Sequence, residues 1–388
     1  MRAGPVLTSL TEEQEALVAL CRDFAAREIR PIARAVDEAD TQVPWEVWWK
    51  AADAGITSFM IDEAFGGGGV TDCVTACLVQ EELCYGDAGI GNLLTSNGFF
   101  AAPVEALGTP EQRKRWLGPL TGARPPMTAV AVTEPEVGSD AAGLATRAVR
   151  TDAGYALTGR KAWISNAGVA EAYVVFATVD PAQRARGVTA FVVRHDDPGV
   201  SVGPPVRKMG QRAIRSAELV LDGVELDADR RLGEEGQGFY GLMGTFDQSR
   251  IVLGAAATGL ARAALDYARE YACAREQFGK PIIEHQAVGF RLADVATRID
   301  AARLLVMRAA QAFDAGQTVT TEAAMAKLFA SETAMFATWA AVQTLGGWGY
   351  SREFPVEQWM RDAKLEEIEE GTSDIQRLVI ARSLQGPR

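Results

Sequence analysis

Glu370 closes an acidic run, Leu365-Glu366-Glu367-Ile368-Glu369-Glu370, and is followed at once by Gly371-Thr372-Ser373 and the start of a helix. A glycine after a carboxylate strips bulk from the backbone, so a flat substrate group could lie against the main chain while the carboxylate reaches one of its carbons. That arrangement suits proton abstraction. Taken alone, the same residues also describe an ordinary helix start, with Thr372 or Ser373 as N-cap and the glutamates as a solvated charge run.

Four further stretches carry groups that a polar heterocycle with an anionic tail could use. Ala131 to Asp140 leaves a strand into a loop of hydroxyls and exposed amides, Thr133 and Ser139 among them. A structural turn would explain that loop nearly as well. In Gly159 to Ala167, Trp163 stands two residues from Ser165, which on an extended strand gives a flat stacking surface beside a hydroxyl. Arg275-Glu276-Gln277-Phe278-Gly279-Lys280-Pro281 interrupts two long helices and offers a guanidinium, an amide and an aromatic face, arginine being the usual partner of phosphate oxygens. Gln343 to Tyr350 breaks another helix with glycines that permit close backbone approach.

The elements that must position these groups fall into three blocks. The first third reads as helices, opening on the capping-box pattern Thr11-Glu12-Glu13-Gln14, with Gly66 to Gly69 as a plain loop and Gly108-Thr109-Pro110-Glu111 as a break and new helix start. Near residue 125 the character changes to short β-rich runs at Ala129–Val132, Tyr155–Thr158, Tyr173–Val179, Val188–Arg194 and Ala217–Val224. From about residue 238 the chain is helical again, and Leu292, Val295, Ile299, Ala302 and Val306 draw one apolar stripe. The expected domains are 1–122, helical; 123–234, β; and 235–388, a helical bundle. With no alternating βαβ rhythm and no GxGxxG after a strand, a Rossmann site is argued against.

Composition narrows the function classes. The 388 residues carry a net charge of -12 without a long basic cluster, which argues against a nonspecific grip on nucleic acid or an anionic membrane. No run of about eighteen uninterrupted apolar residues appears, and Met1 to Leu7 lacks a signal or transit pattern, so a cytoplasmic location is expected. The five cysteines lack CxxC spacing and only two histidines exist, so no metal site is expected.

Taken in this order and at these separations, the segments closely resemble the acyl-CoA dehydrogenase family of flavoenzymes, especially its short- and medium-chain members. Thr133-Glu134-Pro135 with Gly138-Ser139-Asp140, Trp163-Ile164-Ser165-Asn166, Arg275 to Lys280, and Met360 to Thr372 carry the resemblance. It implies a mainly α fold with a central β domain: an N-terminal helical domain, a middle β-barrel or sandwich domain, and a C-terminal four-helix bundle. It implies FAD between the β domain and the bundle, with Thr133 and Ser165 bonding the isoalloxazine ring, Trp163 packing on it, and Ser139 by the phosphates or the ligand's pantetheine. Arg275, Gln277, Phe278, Gln343 and Gly347 match positions that hold the ADP half of FAD on a neighbouring subunit, which implies a homo-oligomer, a dimer of dimers. Thr372 and Asp374 match the remaining adenine-side contacts, although Gln or Glu is common where Asp374 stands.

By the same resemblance Glu370 is the base that removes the α proton of an acyl-CoA thioester, and an electron-transfer flavoprotein receives the electrons. Phe246, Asp247, Arg250, Glu369 and Gly371 are the expected substrate-side residues, with Ser139. Some relatives place the base in the segment matching Phe246 to Arg250, where this chain has Ser249 and no glutamate. Glu369 stands where the family usually has an aromatic residue lining the acyl cavity; facing the cavity it would favour a short, branched or polar acyl group, and otherwise it would meet solvent or an arginine. A same-fold flavoenzyme acting on an acyl carrier protein thioester, or using oxygen, is the alternative reading.

Overall fold

The first helix starts where the capping-box pattern places it. The Thr11 hydroxyl accepts from the Gln14 N–H and the Gln14 side chain accepts from the Thr11 N–H. The computed structural model describes residues 10–385. Helices α1 (Glu12–Phe24), α2 (Ala33–Ala39), α3 (Trp45–Asp53), α4 (Cys73–Gly86), α5 (Ala88–Leu94), α6 (Asn97–Leu107) and α7 (Pro110–Leu117) make the first block. Thr109 caps α7 with Pro110 in its first turn, a second capping box completed by Gln112. The four-glycine loop folds back on the chain: a side chain at Gly67 would sit 2.0 Å from the Ile61 carbonyl oxygen, so close approach explains the glycine there.

The middle block is one eight-stranded sheet: β1 (Met127–Ala131), β2 (Arg147–Arg150), β3 (Gly154–Ser165), β4 (Ala170–Thr178), β5 (Val188–Arg194), β6 (Val200–Val202), β7 (Ser216–Asp227) and β8 (Arg231–Leu232). The order is β6-β7-β3-β2-β4-β5-β8, with β1 joining β4 in parallel. Two strands lie between β3 and β5, yet the Tyr155 and Phe191 rings meet edge to face at 4.9 Å between centroids, so the sheet curls over its own core. Its other face packs on α6 and α7 through Phe100, Val104, Trp116, Val174 and Phe176. The strands β2, β6 and β8 escape sequence reading. β2 is only four residues, with arginines at both ends and no alternation, while β6 and β8 are shorter still and take their order from their neighbours.

The last block holds α8 (Gly238–Ala274), the short hairpin β9 (Glu276–Gln277) and β10 (Lys280–Pro281), α9 (Gln286–Asp314), α10 (Thr320–Leu345), α11 (Val356–Glu366) and α12 (Ser373–Ser383). The α9 stripe Leu292, Val295, Ile299, Ala302 and Val306 is buried in the bundle as its spacing predicts. Alanine dominates the rest of that core, which lets α8 and α10 pack closely. By length and hydropathy α8 could span a membrane, but 72% of its apolar window is buried inside the protein. Helix α4 ties the first block to the bundle. Glu81 pairs there with Arg262 at 2.7 Å and with Arg303, and opposing positive charge holds its carboxyl low despite burial.

Inside the β block a buried ion pair anchors the loop after β1. Lys161 is fully buried; its Nζ donates to Glu134 at 2.8 Å and to the Val132 carbonyl at 3.0 Å. Glu134 also accepts from the Ala145 and Thr146 N–H groups. Breaking one side of such a pair strands the other charge in an apolar site. We expect Lys161→Met to destabilise the protein by about 3 kcal/mol in thermal unfolding, and Lys161→Met with Glu134→Gln to recover most of that loss; equal destabilisation by both variants would show that the pair is not the cause.

Candidate active site

The carboxylate that the sequence singles out sits on a strained, firmly held turn between α11 and α12. Glu370 has φ 49° and Gly371 φ 94°, both left-handed. A side chain at 371 would also meet the Gln376 amide at 2.8 Å. Three side chains grip the turn by its carbonyls: Arg250 Nε and Gln376 Nε2 donate to the Glu370 carbonyl, both at 3.2 Å, and Lys327 Nζ and Gln376 Nε2 donate to the Gly371 carbonyl at 2.9 and 2.8 Å. Thr372 is the N-cap of α12, its hydroxyl accepting from the Ile375 N–H at 3.3 Å.

The Glu370 carboxylate accepts from the Ser249 hydroxyl at 2.9 Å. Burial pushes its pKa up, while the Ser249 hydrogen bond and the positive charges of Arg250 and Lys327 pull it back. A carboxylate so placed gains basicity, as a general base requires. Ser249 belongs at the same time to the wall of a cleft of about 750 Å³ between α4, α5, α6, α8 and β1, lined chiefly by Phe59, Met60, Phe99, Phe246 and Val252. The base and the apolar cleft therefore share a residue.

Of the expected substrate-side residues, Phe246 lines this cleft. Asp247 and Arg250 form the plain helical ion pair at 3.4 Å, with Thr320 donating to Asp247 at 2.6 Å. Arg250 nevertheless reaches the base turn. Glu369 is not among the residues lining the cleft. It lies among charges, beside Glu366, Lys327, Glu370 and Lys208, and burial and its acidic neighbours raise its pKa well above the ordinary value. The reading of Glu369 as a wall of the cleft, and the alternatives of solvent or arginine, give way to this buried lysine-bearing cluster: the chain turns at Glu370, so consecutive side chains diverge.

The polar residues expected around a heterocycle also come together. Val130 of β1 lines the cleft, and three residues on, the Thr133 carbonyl accepts from the Ala162 N–H at 2.8 Å, which sets Thr133 beside Trp163. The strand β3 bulges there. Trp163 takes φ 61° and its indole is 62% exposed, with Ser165 exposed on the same side. An indole held out to solvent beside two hydroxyls fits a flat ring with hydrogen-bonding edges. Ser139 lies exposed farther along the loop, next to the Asp140–Arg184 pair at 2.7 Å.

A second groove, of about 910 Å³, brings Arg275, Gln277 and Gly347 together with Tyr271 and Trp348. Phe278 projects from the β9–β10 turn at φ 53°, 94% exposed, and Gln343 is exposed in the last turn of α10. A guanidinium beside bare glycine backbone fits a phosphate-bearing group. Asp374 projects into solvent and pairs with Arg377 at 3.8 Å.

Sequence reasoning missed Lys327, Gln376 and the polar groups below the base turn. Lys327 had a signal: it sits in α10 between Ala323, Ala324, Ala330 and Ser331, a charge on a helix face otherwise made of small buried residues. Glu366 had none, since it reads as one more member of the acidic run. It is 1% exposed; its Oε1 accepts from Gln211 at 2.8 Å and its Oε2 has no hydrogen-bond partner among the described residues. Burial raises its pKa to about 7, against the pull of Lys327. The folded protein thus takes up a proton here between about pH 4.5 and 7 that the unfolded chain does not, so this group's contribution to stability falls as pH rises through that window. Glu366→Gln is expected to raise stability at pH 8, by up to about 3 kcal/mol, and to leave it unchanged at pH 5; a gain equal at both pH values would rule out ionisation as its origin.

Family models match along the described chain: acyl-CoA dehydrogenase N-terminal domain over residues 11–123, middle domain over 129–224 and C-terminal domain over 236–385. The short-chain specific acyl-CoA dehydrogenase of Bos taurus mitochondria is 41% identical over 376 residues, covering 97% of this chain and 90% of the relative. Among solved structures, butyryl-CoA dehydrogenase from Megasphaera elsdenii superposes with a TM-score of 0.93 at 39% identity, covering 97% of this chain and 99% of that one. The prolyl acyl carrier protein oxidase AnaB superposes with a TM-score of 0.91 at 30% identity, covering 97% and 100%. On these matches the chain belongs to the acyl-CoA dehydrogenase family of FAD-dependent oxidoreductases.

Proposed function

We propose that this protein removes the α and β hydrogens of an acyl-CoA thioester, yielding the trans-2-enoyl-CoA, and that an electron-transfer flavoprotein takes the electrons. The observation that carries this reading is the Glu370 carboxylate, raised in basicity by burial and held by Ser249 at the edge of an apolar cleft. FAD supplies the hydride acceptor for the β carbon when bound; Thr133, Trp163 and Ser165 would hold its ring, and Arg275, Gln277, Phe278, Gln343 and Gly347, with Thr372 and Asp374, would hold an ADP half shared between subunits of a homotetramer. Ser139 would lie near the phosphates or the pantetheine.

In this mechanism Phe246 and its apolar neighbours take the acyl chain and exclude water. Glu370 takes the α proton. As that proton leaves, negative charge gathers on the thioester oxygen, and the backbone N–H of Glu370 would be the donor that meets it. Arg250, Gln376 and Lys327 occupy the neighbouring carbonyls, so the peptide units keep one orientation and their N–H groups stay directed for use. Domain boundaries of 1–122, 123–234 and 235–388, a cytoplasmic location and a role in fatty acid β-oxidation complete the reading.

Anaerobic mixing of the FAD-loaded enzyme with a panel of acyl-CoAs tests it. At least one thioester should bleach the flavin absorbance, and Glu370→Gln should slow that bleaching by about 10³-fold with flavin content retained. Bleaching by acyl carrier protein thioesters alone, or turnover sustained by oxygen, would instead support the oxidase reading; an unslowed Gln variant would remove Glu370 as base. Ser249→Ala takes a donor from the ionised carboxylate, so its pKa rises: the acid limb of the flavin-reduction rate should move up by about one pH unit, while the high-pH plateau changes little.

A further inference from the structure

A glycine lines the apolar cleft at one place where the fold gives no reason for it. Gly98 lies in the first turn of α6, partly accessible, on the cleft wall. Its φ is not in the left-handed region, and a Cβ added there would meet nothing within 4 Å beyond its own stretch of helix. Other glycines nearby differ: a Cβ at Gly91 would meet Cys84 Sγ at 2.8 Å, and one at Gly241 would meet the Leu107 side chain at 2.8 Å. Neither backbone freedom nor close packing holds a glycine at 98, and alanine would favour the helix. What the missing side chain adds is width to the cleft.

Two contacts fix where that width falls. Gly241 packs on Leu107, and a Cβ at Gly259 would sit 2.2 Å from the Glu81 carbonyl oxygen, so α8 runs against the α4–α6 stretch in the opposite chain direction. Counted from Gly241 and Leu107 at about 1.5 Å per residue, Ser249 lies about 12 Å along α8 and Gly98 about 13 Å along α6. The two stand level across the cleft that both line. Ser249 holds the Glu370 carboxylate at 2.9 Å, so the widening lies beside the base rather than toward Leu242 and Pro103 or toward Gln80 and Leu253.

The carbon that gives its proton to Glu370, and the carbon after it, belong at this level. A straight chain presents only CH₂ groups there and leaves the added width unfilled, with the contacts it could make unmade. A methyl on C2 or C3 fills it and still leaves at least one hydrogen on each reacting carbon, so H⁺ passes to Glu370 and H⁻ to FAD as in the unbranched case. Among the described residues no charged side chain lines the cleft, so a carboxylate at the chain end would meet no cation.

Building on the assignment of this cleft to the acyl group, we propose that Gly98 is a specificity-determining residue: the space its missing side chain leaves beside Glu370 takes a methyl branch at C2 or C3 of the acyl chain. The preferred substrate is a branched, uncharged acyl-CoA, and straight chains of the same length react less well.

Butanoyl-CoA, 2-methylbutanoyl-CoA and 3-methylbutanoyl-CoA share one main chain and differ only in the branch. In anaerobic flavin reduction by the FAD-loaded enzyme, the better of the two branched thioesters should exceed butanoyl-CoA by about tenfold in rate constant over Kd. Gly98→Val fills the space and should lower that ratio by about tenfold; Gly98→Ala, smaller and helix-favouring, should lower it less and serves if the valine variant loses flavin. Titration calorimetry on Glu370→Gln, with and without Gly98→Val, reads binding without turnover, and the branched thioester should lose more affinity than the straight one. A wild-type enzyme that favours butanoyl-CoA over both branched thioesters, or a branch preference that survives in both variants, overturns the proposal. If no thioester bleaches the flavin, the dehydrogenase reading fails, and the calorimetric comparison still decides the role of Gly98.

Discussion

The fixed turn at Glu370 and Gly371 is the constraint around which the rest of the site is arranged. A carboxylate can remove a weakly acidic C–H proton only if it meets the carbon at one distance and angle, and here that demand falls on a left-handed backbone of two residues. Left to itself such a turn would sample other conformations. Arg250 from α8, Lys327 from α10 and Gln376 from α12 converge on its carbonyls, so three helices of the bundle set its position. Each donor is itself buried or nearly so, and each brings the cost of removing a polar group from water. The bundle's small-residue core makes the arrangement possible, because close helix packing brings the three side chains within reach of one turn.

Beneath the turn lies an unusual density of buried acid. Asp87, Asp362, Glu366 and Glu369 all have raised pKa values, with burial the leading cause in each, and the two lysines facing them, Lys208 and Lys327, are lowered by the same burial. Acids raised and lysines lowered together mean that the cluster carries less net separation of charge than its composition suggests. Its links run across all three blocks: Gln358 donates to Asp87 at 2.8 Å, the Gln211 N–H donates to Asp362, and Asn92 and Gln211 both reach Glu366. The β block is thereby seated against α5 and α11 by hydrogen bonds as well as apolar contact.

Much of this architecture was legible because periodicity and helix caps are local signals. Thr11, Thr109 and the α9 stripe mark elements that form for reasons contained in their own neighbourhood. The candidate base stood out for a related reason: a carboxylate before glycine is a short pattern, and the resemblance to a family rests on such patterns. What escaped depends on residues far apart in the chain. Lys327 reaches Gly371 across 44 positions and Asn92 reaches Gln211 across 119, and nothing in either local stretch announces the partner. Glu369, left open in the sequence between cavity, solvent and an arginine, lies instead beside Glu366, Lys327 and Lys208, partners that no local pattern announces.

The bulge in β3 has its own implication. A tryptophan in the left-handed region is strained by a kcal/mol or more, and at Trp163 this distortion is kept in a strand that Ala162 and Asn166 tie down on either side, through Thr133 and Arg215. The strand would gain stability by losing the feature that presents the indole, so durability and the proposed cofactor grip pull in opposite directions at this residue. Variants selected only for heat resistance would drift toward glycine or asparagine here and arrive as well-folded proteins that no longer present the indole.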